Sequence, residues 1–198
     1  MVVYDKEFLA DIYVYAAMKG DVSVGSFEVL CNGESADKQV IKFSKNEDGI
    51  ASLYMATLQR AFLRAADYVG KYAIPVLDPD KKLLIKKDEK RKDGTKILWA
   101  RFIFIFHIMD ERALSIAKGE NVVALSDSEE HWKNLFKMMR MAFAKAKLPY
   151  RNLRIGVEYD FRSSNIDNVR EMADFADKEL EHSYNISNSK NEKRESQT

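Results

Sequence analysis

The sequence predicts a single α+β domain, a mostly antiparallel sheet with a central strand at 97–109 and three main helices at 50–69, 129–147 and 166–180. Short runs rich in β-branched and aromatic residues alternate with turn residues through the first 43 positions. A 3.6-residue apolar period then appears at 50–69 and returns in two later segments. Between them, ILWARFIFIFHIM is apolar on both sides of a two-residue period, the pattern of a strand covered on both faces.

The first elements are strands. LADIYVYAAMK (9–19), SFEVLC (26–31) and QVIKF (39–43) are separated by Gly20, Gly25, the Asn32-Gly33 pair and Gly49, which fits a three-stranded antiparallel meander. From 50 to 69, Tyr54, Leu58, Phe62 (or Ala61), Ala65 and Val69 form one helical stripe, with Gln59, Arg60 and Arg64 off it. Asp48 or Ser52 caps the start, and Gly70 follows the end. AIPVLDPD (73–80) reads as a short strand closed by a turn. KLLIKK (82–87) and the strand at 97–109 read as a hairpin around Asp93-Gly94.

ERALSIAK (111–118) reads as a helical turn and VVAL (122–125) as a short strand. Ser126 with Glu129 matches a capping box, opening a helix with Trp132, Leu135, Met139, Phe143 (or Ala142) and Ala146 as its stripe and Leu148-Pro149 at its end. NLRIGVEYDF (152–161) is another strand. The last helix turns Ile166, Val169, Met172 (or Ala173) and Phe175 (or Ala176) inward. Residues 1–182 thus form the domain, and 183–198, made of Ser, Asn, Lys and Glu, are expected to be a disordered polar tail.

The formal net charge of +1 conceals segregation. Residues 81–101 carry nine basic and three acidic side chains, and residues 132–154 carry seven basic and none acidic, leaving the other positions at −12. Lys133, Lys137 and Arg140 fall on one helical face, and Lys145, Lys147, Arg151 and Arg154 extend it. Lys86, Lys87, Lys90, Arg91 and Lys92 form a second basic segment, where lysines also serve to guard an exposed hairpin edge. The expected partner is an anionic polymer or surface: nucleic acid, nucleoprotein or acidic lipid. If the acidic segment at 156–181 packs across the basic helix, the charges cancel within the molecule.

Chemistry-bearing motifs are sparse. There is no Gly-rich phosphate loop and no Gly-x-Ser-x-Gly elbow. His107, His131 and His182 have no neighbour at ligand spacing, and Cys31 sits in an apolar run. Asp78-Pro-Asp80 reads as a turn. Asp11 with Asp78 has the form of a nuclease carboxylate pair, but two acids among thirty-one are no signal. No catalytic residue, metal ligand or cofactor is therefore expected. The start lacks the pattern of a signal peptide, and no apolar run reaches the ~20 residues of a spanning helix, so a cytoplasmic or intracellular location is expected.

Two readings of function follow. One is a non-enzymatic structural or assembly protein, self-associating and docked on anionic surfaces. The alternative is a nucleic-acid-binding protein for single-stranded RNA or DNA on the same patch, with Trp132, Phe136, Tyr150 and Arg151 as stacking or backbone partners. The order ILWARFIFIFHI, MDER, HWKNLFKMMRMAFAKA, NLRIGVEYD resembles the distal half of rhabdovirus-type matrix proteins over about a third of the chain. That resemblance implies a small α/β viral protein bridging nucleocapsid and membrane. The chain departs from it in lacking a basic N-terminal arm and a Pro-Pro-x-Tyr motif.

Overall fold

The computed structural model describes residues 2–43, 49–68, 96–120 and 155–195. Within them five strands and three helices follow in the order β1 (Val2–Lys19), β2 (Val22–Cys31), β3 (Glu34–Phe43), α1 (Ile50–Tyr68), β4 (Lys96–Ile108), α2 (Glu111–Lys118), β5 (Ile155–Ser163) and α3 (Ile166–Glu195). One sheet of order β3-β2-β1-β4-β5 joins the strands, so the fold is the expected α+β single domain.

Local chemistry sets the first meander. Asn32 (φ 51°) and Gly33 (φ 86°) make the two-residue turn between β2 and β3, where both positions need positive φ. Asn32 also ties this turn to β1, donating its backbone N–H to the Leu9 carbonyl and accepting from Leu9 N–H on its side chain.

Pairing is mixed where mostly antiparallel pairing is expected. β1–β2 and β2–β3 are antiparallel, while β1–β4 and β4–β5 are parallel. Parallel neighbours need a crossover rather than a tight turn, and α1 and α2 lie in the two connections that reach β4 and β5. The strand expected at 97–109 is paired on both sides as β4, and β1 takes the middle of the five.

The even-numbered side chains of β1 and β4, Phe8, Ala10, Ile12, Val14, Phe102, Phe104, Phe106 and Ile108, face α1 and form the main core with Phe27 and Val29 of β2. Leu53, Tyr54, Leu58, Ala61, Phe62 and Ala65 meet them, in keeping with the stripe read from the sequence. Phe62 packs edge-on against Phe104 at 5.1 Å and Tyr159 at 5.9 Å. Gly25 is required by this packing: a Cβ there would fall 2.0 Å from Thr57 Oγ1. The run at 111–118 is a true helix. Asp110 caps it by accepting from Ala113 N–H at 2.7 Å, and left-handed Gly119 closes it.

α3 covers the other face. Val169, Met172, Ala173, Ala176 and Leu180 point inward, whereas Ile166, named as inward from the sequence, is 45% exposed, and of the alternatives Phe175 and Ala176 it is Phe175 that is left out, 64% exposed. The helix also continues to Glu195 through residues expected to form a disordered tail. Tyr184 lies against Gly20 and under the Lys19 ammonium, which gives this extension a tertiary contact that composition alone does not show. The segments read as strands at 73–80, 82–87 and 122–125, and the helix at 129–147, lie outside the described residues.

Candidate functional site

Odd-numbered residues of β1 and β4 and even-numbered residues of β5 project away from α1, and on this face the sheet changes character. Glu28, Tyr13, His107 and Arg162 fall in register across β2, β1, β4 and β5. His107 Nε2 lies 2.8 Å from Asp11 Oδ1, and its ring stacks on Tyr13 at 4.1 Å with 6° between the planes. Both partners of the Asp11–His107 pair are largely shielded from solvent. Burial pushes the Tyr13 phenol above its ordinary pKa; the Asp11 and Glu28 carboxylates add to this, and Arg162 opposes it.

Two arginines on this face are paired with carboxylates. Arg162 donates to Asp160 at 2.8 Å. Arg101 donates to Glu7 at 2.9 Å and also to Glu158. These two carboxylates, Glu158 foremost, raise the guanidinium pKa still further. Arg101 belongs to the basic segment 81–101, but here it is neutralised on both sides.

Chemically, a carboxylate-held and ring-stacked imidazole is fixed in orientation and can hold or pass a proton. Among the described residues, Asp11 is the one hydrogen-bond partner of His107, and no three of His, Cys, Asp and Glu gather as a metal site. Cys31 is buried, and its thiol is pushed up to about 12 by that burial, which removes it as a nucleophile at neutral pH. The Asp11–His107 pair is the feature the sequence analysis missed, because 96 residues separate its members. The available signal was parity: both fall at odd positions of their strands, on the side opposite the main apolar stripe.

The second charged feature lies under α3. Lys38 and Lys42 of β3 bond to Glu171 at 2.9 Å and Glu179 at 2.6 Å. Four residues of strand span ~13 Å and eight of helix ~12 Å, so the two spacings match. On the other flank, Tyr15 donates to Asp177 at 3.0 Å and Lys19 grips both oxygens of Glu181 at 2.6 and 2.8 Å. The Lys38 and Lys42 hydrogen bonds hold the Glu171 and Glu179 carboxyls below the usual carboxylate range.

The basic residues named from the sequence, Lys133, Lys137, Arg140, Lys145, Lys147, Arg151 and Arg154, lie outside the described residues, as do Lys86, Lys87, Lys90, Arg91, Lys92 and Asp78. The described part of the structure therefore brings none of them together. No described helix is long and apolar enough to cross a membrane.

No family model and no curated protein matches the chain, so neither carries the resemblance to rhabdovirus-type matrix proteins. Solved structures do resemble it. LC11-RNase H1 isolated from compost by a metagenomic approach is 9% identical, with a TM-score of 0.47 over 88% of this chain and 97% of that one. LC11-RNase H1 in complex with an RNA/DNA hybrid is 10% identical, with a TM-score of 0.41 over 80% of this chain and 87% of that one. RNase H1 from the halophilic archaeon Halobacterium salinarum NRC-1 is 8% identical, with a TM-score of 0.44 over 81% of this chain and 88% of that one. The three are RNase H1 structures, one with an RNA/DNA hybrid, where the sequence led to the expectation of a non-enzymatic, matrix-like structural protein docked on lipid or nucleoprotein. A likeness at this level of identity assigns no activity to the chain.

Proposed function

We propose that the protein binds nucleic acid, with Lys133, Lys137, Arg140, Lys145, Lys147, Arg151 and Arg154 as its cationic contacts. The observation that supports this reading is where α3 places its acids. The final helix was the element able to cancel the basic segment from within. Among the described residues, its bonded carboxylates meet Lys19, Tyr15, Lys38 and Lys42 on the sheet, and Arg170 on α3 itself. The stretch at 132–154 holds seven positive charges and no acid of its own over twenty-three residues. Polyanions reward such a stretch by releasing condensed counterions. Arg101 is not part of the contact surface, since Glu7 and Glu158 hold it.

Fluorescence anisotropy with single-stranded RNA, single-stranded DNA and an RNA/DNA hybrid, between 50 and 200 mM salt, tests the reading. Seven phosphate contacts give a log–log salt slope of about −5 on a single strand, and Lys133/Lys137/Arg140→Glu reduces it to about −3 with weaker binding throughout. Unchanged affinity and slope in the triple variant would remove the segment from the function. Cleavage of each probe is followed in the same samples, because enzymatic activity is no longer excluded.

A further inference from the structure

The Asp11–His107 pair has no part in binding through the basic segment, yet its hydrogen bonding leaves the imidazole chemically open on one side. The Asp11 carboxylate accepts from Nε2 at 2.8 Å, so in the neutral ring Nε2 carries the hydrogen and Nδ1 keeps its lone pair. Nδ1 has no partner among the described residues and is not sealed from solvent, since 13% of the His107 side chain stays exposed. Tyr13, stacked on the ring, stops it from turning. Burial and the neighbouring carboxylates hold the Tyr13 phenol protonated, so it does not compete for a proton at neutral pH. Arg162 is the cross-strand neighbour of His107 on β5. Its side chain is 54% exposed and bonds Asp160 through Nε, which leaves both Nη groups free, among the described residues, to hold a phosphate.

We propose that His107 is the general base of an RNA-cleaving step, taking the proton of a 2′-hydroxyl at Nδ1 while Arg162 holds the adjoining phosphate. This rests on the nucleic-acid binding proposed above: Asp11, Glu28 and Asp160 flank the pair in register, so the attraction of a polyanion has to come from the basic segment. A ring held in this way takes a proton without reorienting. Of the protons within a nucleic-acid strand, that of the 2′-hydroxyl is the one whose removal leaves a nucleophile fixed next to phosphorus. Its fixed position gives it a large advantage over free water. The 2′ oxygen bonds to phosphorus as Nδ1 takes its hydrogen, and the bond from phosphorus to the 5′ oxygen breaks. The leaving oxygen takes a proton from water, and the imidazolium neutralises the hydroxide so formed. The products are a 2′,3′-cyclic phosphate and a 5′-hydroxyl, with no other reactant consumed. RNA is therefore cut, and DNA is only bound.

A DNA strand carrying a single ribonucleotide tests this, incubated with the full chain in excess EDTA because the step as written needs no metal. Anisotropy is read on the same samples. The wild type is expected to cut once, on the 3′ side of the ribonucleotide, leaving the cyclic phosphate, and to leave an all-DNA strand whole. His107→Ala lowers the rate about a hundredfold or more, and free imidazole restores part of it. Asp11→Asn offers Nε2 a donor and so admits the tautomer that puts the hydrogen on Nδ1. It lowers kcat about tenfold or more with little change in KM. A probe that is bound but uncut, a cut all-DNA strand, a 5′-phosphate product, or a wild-type rate in either variant would overturn the proposal and leave binding standing. Absence of binding to every probe overturns both.

Discussion

On the face covered by α1, the helix meets a bed of aromatic and branched side chains: Phe62 sits among Phe104, Phe106 and Tyr159, and Leu53 and Leu58 are fully buried. On the opposite face, α3 rests on a narrow strip where Ala176 and Leu180 meet Val24, and its flanks are held by carboxylates bonded to Lys19, Lys38 and Lys42. One sheet therefore seats one helix on a broad bed of buried rings and the other on a narrower apolar strip flanked by ion pairs. The two should respond differently to cavities, salt and acid. Close-packed contacts are insensitive to ionic strength, whereas exposed ion pairs contribute little each and are screened.

The largest expected effect is on the α1 face. Phe62→Ala removes a buried ring with three aromatic neighbours and should lower unfolding stability by about 3–5 kcal/mol, read from the urea midpoint. If this variant unfolds no more easily than one on α3, the contrast between the faces is lost. Leu180→Ala comes next, at about 2 kcal/mol, because its cluster is small and partly open. Amide exchange should increase along α3 while α1 remains protected. The smallest effect is Lys42→Ala, no more than about 1 kcal/mol, and it should fade as salt is raised.

Acid sharpens the same comparison. The folded pKa values of Glu171 and Glu179 lie below the ordinary 4.5, so their stabilisation is complete above that pH and disappears as pH falls through the depressed folded values. Exchange in α3 should therefore rise below about pH 4.5 before α1 responds. Simultaneous loss of protection in both helices would show that the α3 ion pairs are incidental.

Particular residues show how much was legible beforehand. The stripe of Tyr54, Leu58, Phe62 and Ala65 located α1 because an exposed helix needs one apolar side. The choice between Phe175 and Ala176 was not legible, since both satisfy the i+3/i+4 spacing. Proximity decided it: Ser26 Oγ donates to the Met172 carbonyl at 3.2 Å, so the α3 backbone lies too close to β2 for a ring to intervene. The parallel pairing of β1, β4 and β5 was likewise hidden, because it depends on crossover connections rather than on the strands' own residues. Of the candidate site, the charge segregation came from sequence, whereas the Asp11–His107–Tyr13 cluster came from register.

Composition and periodicity by themselves determined the α+β class, the identity and inward face of α1, the Asn32-Gly33 turn and the concentration of positive charge between 132 and 154. These properties are local, set by side-chain spacing within a few turns or a few strand residues. Only the tertiary structure decided which strands became neighbours, which side chain of α3 stayed in water, and that the α3 carboxylates would be held by lysines of the sheet. Those outcomes depend on contacts between residues far apart in the chain, 162 positions for Lys19 and Glu181, where the chain must close on itself before the interaction exists.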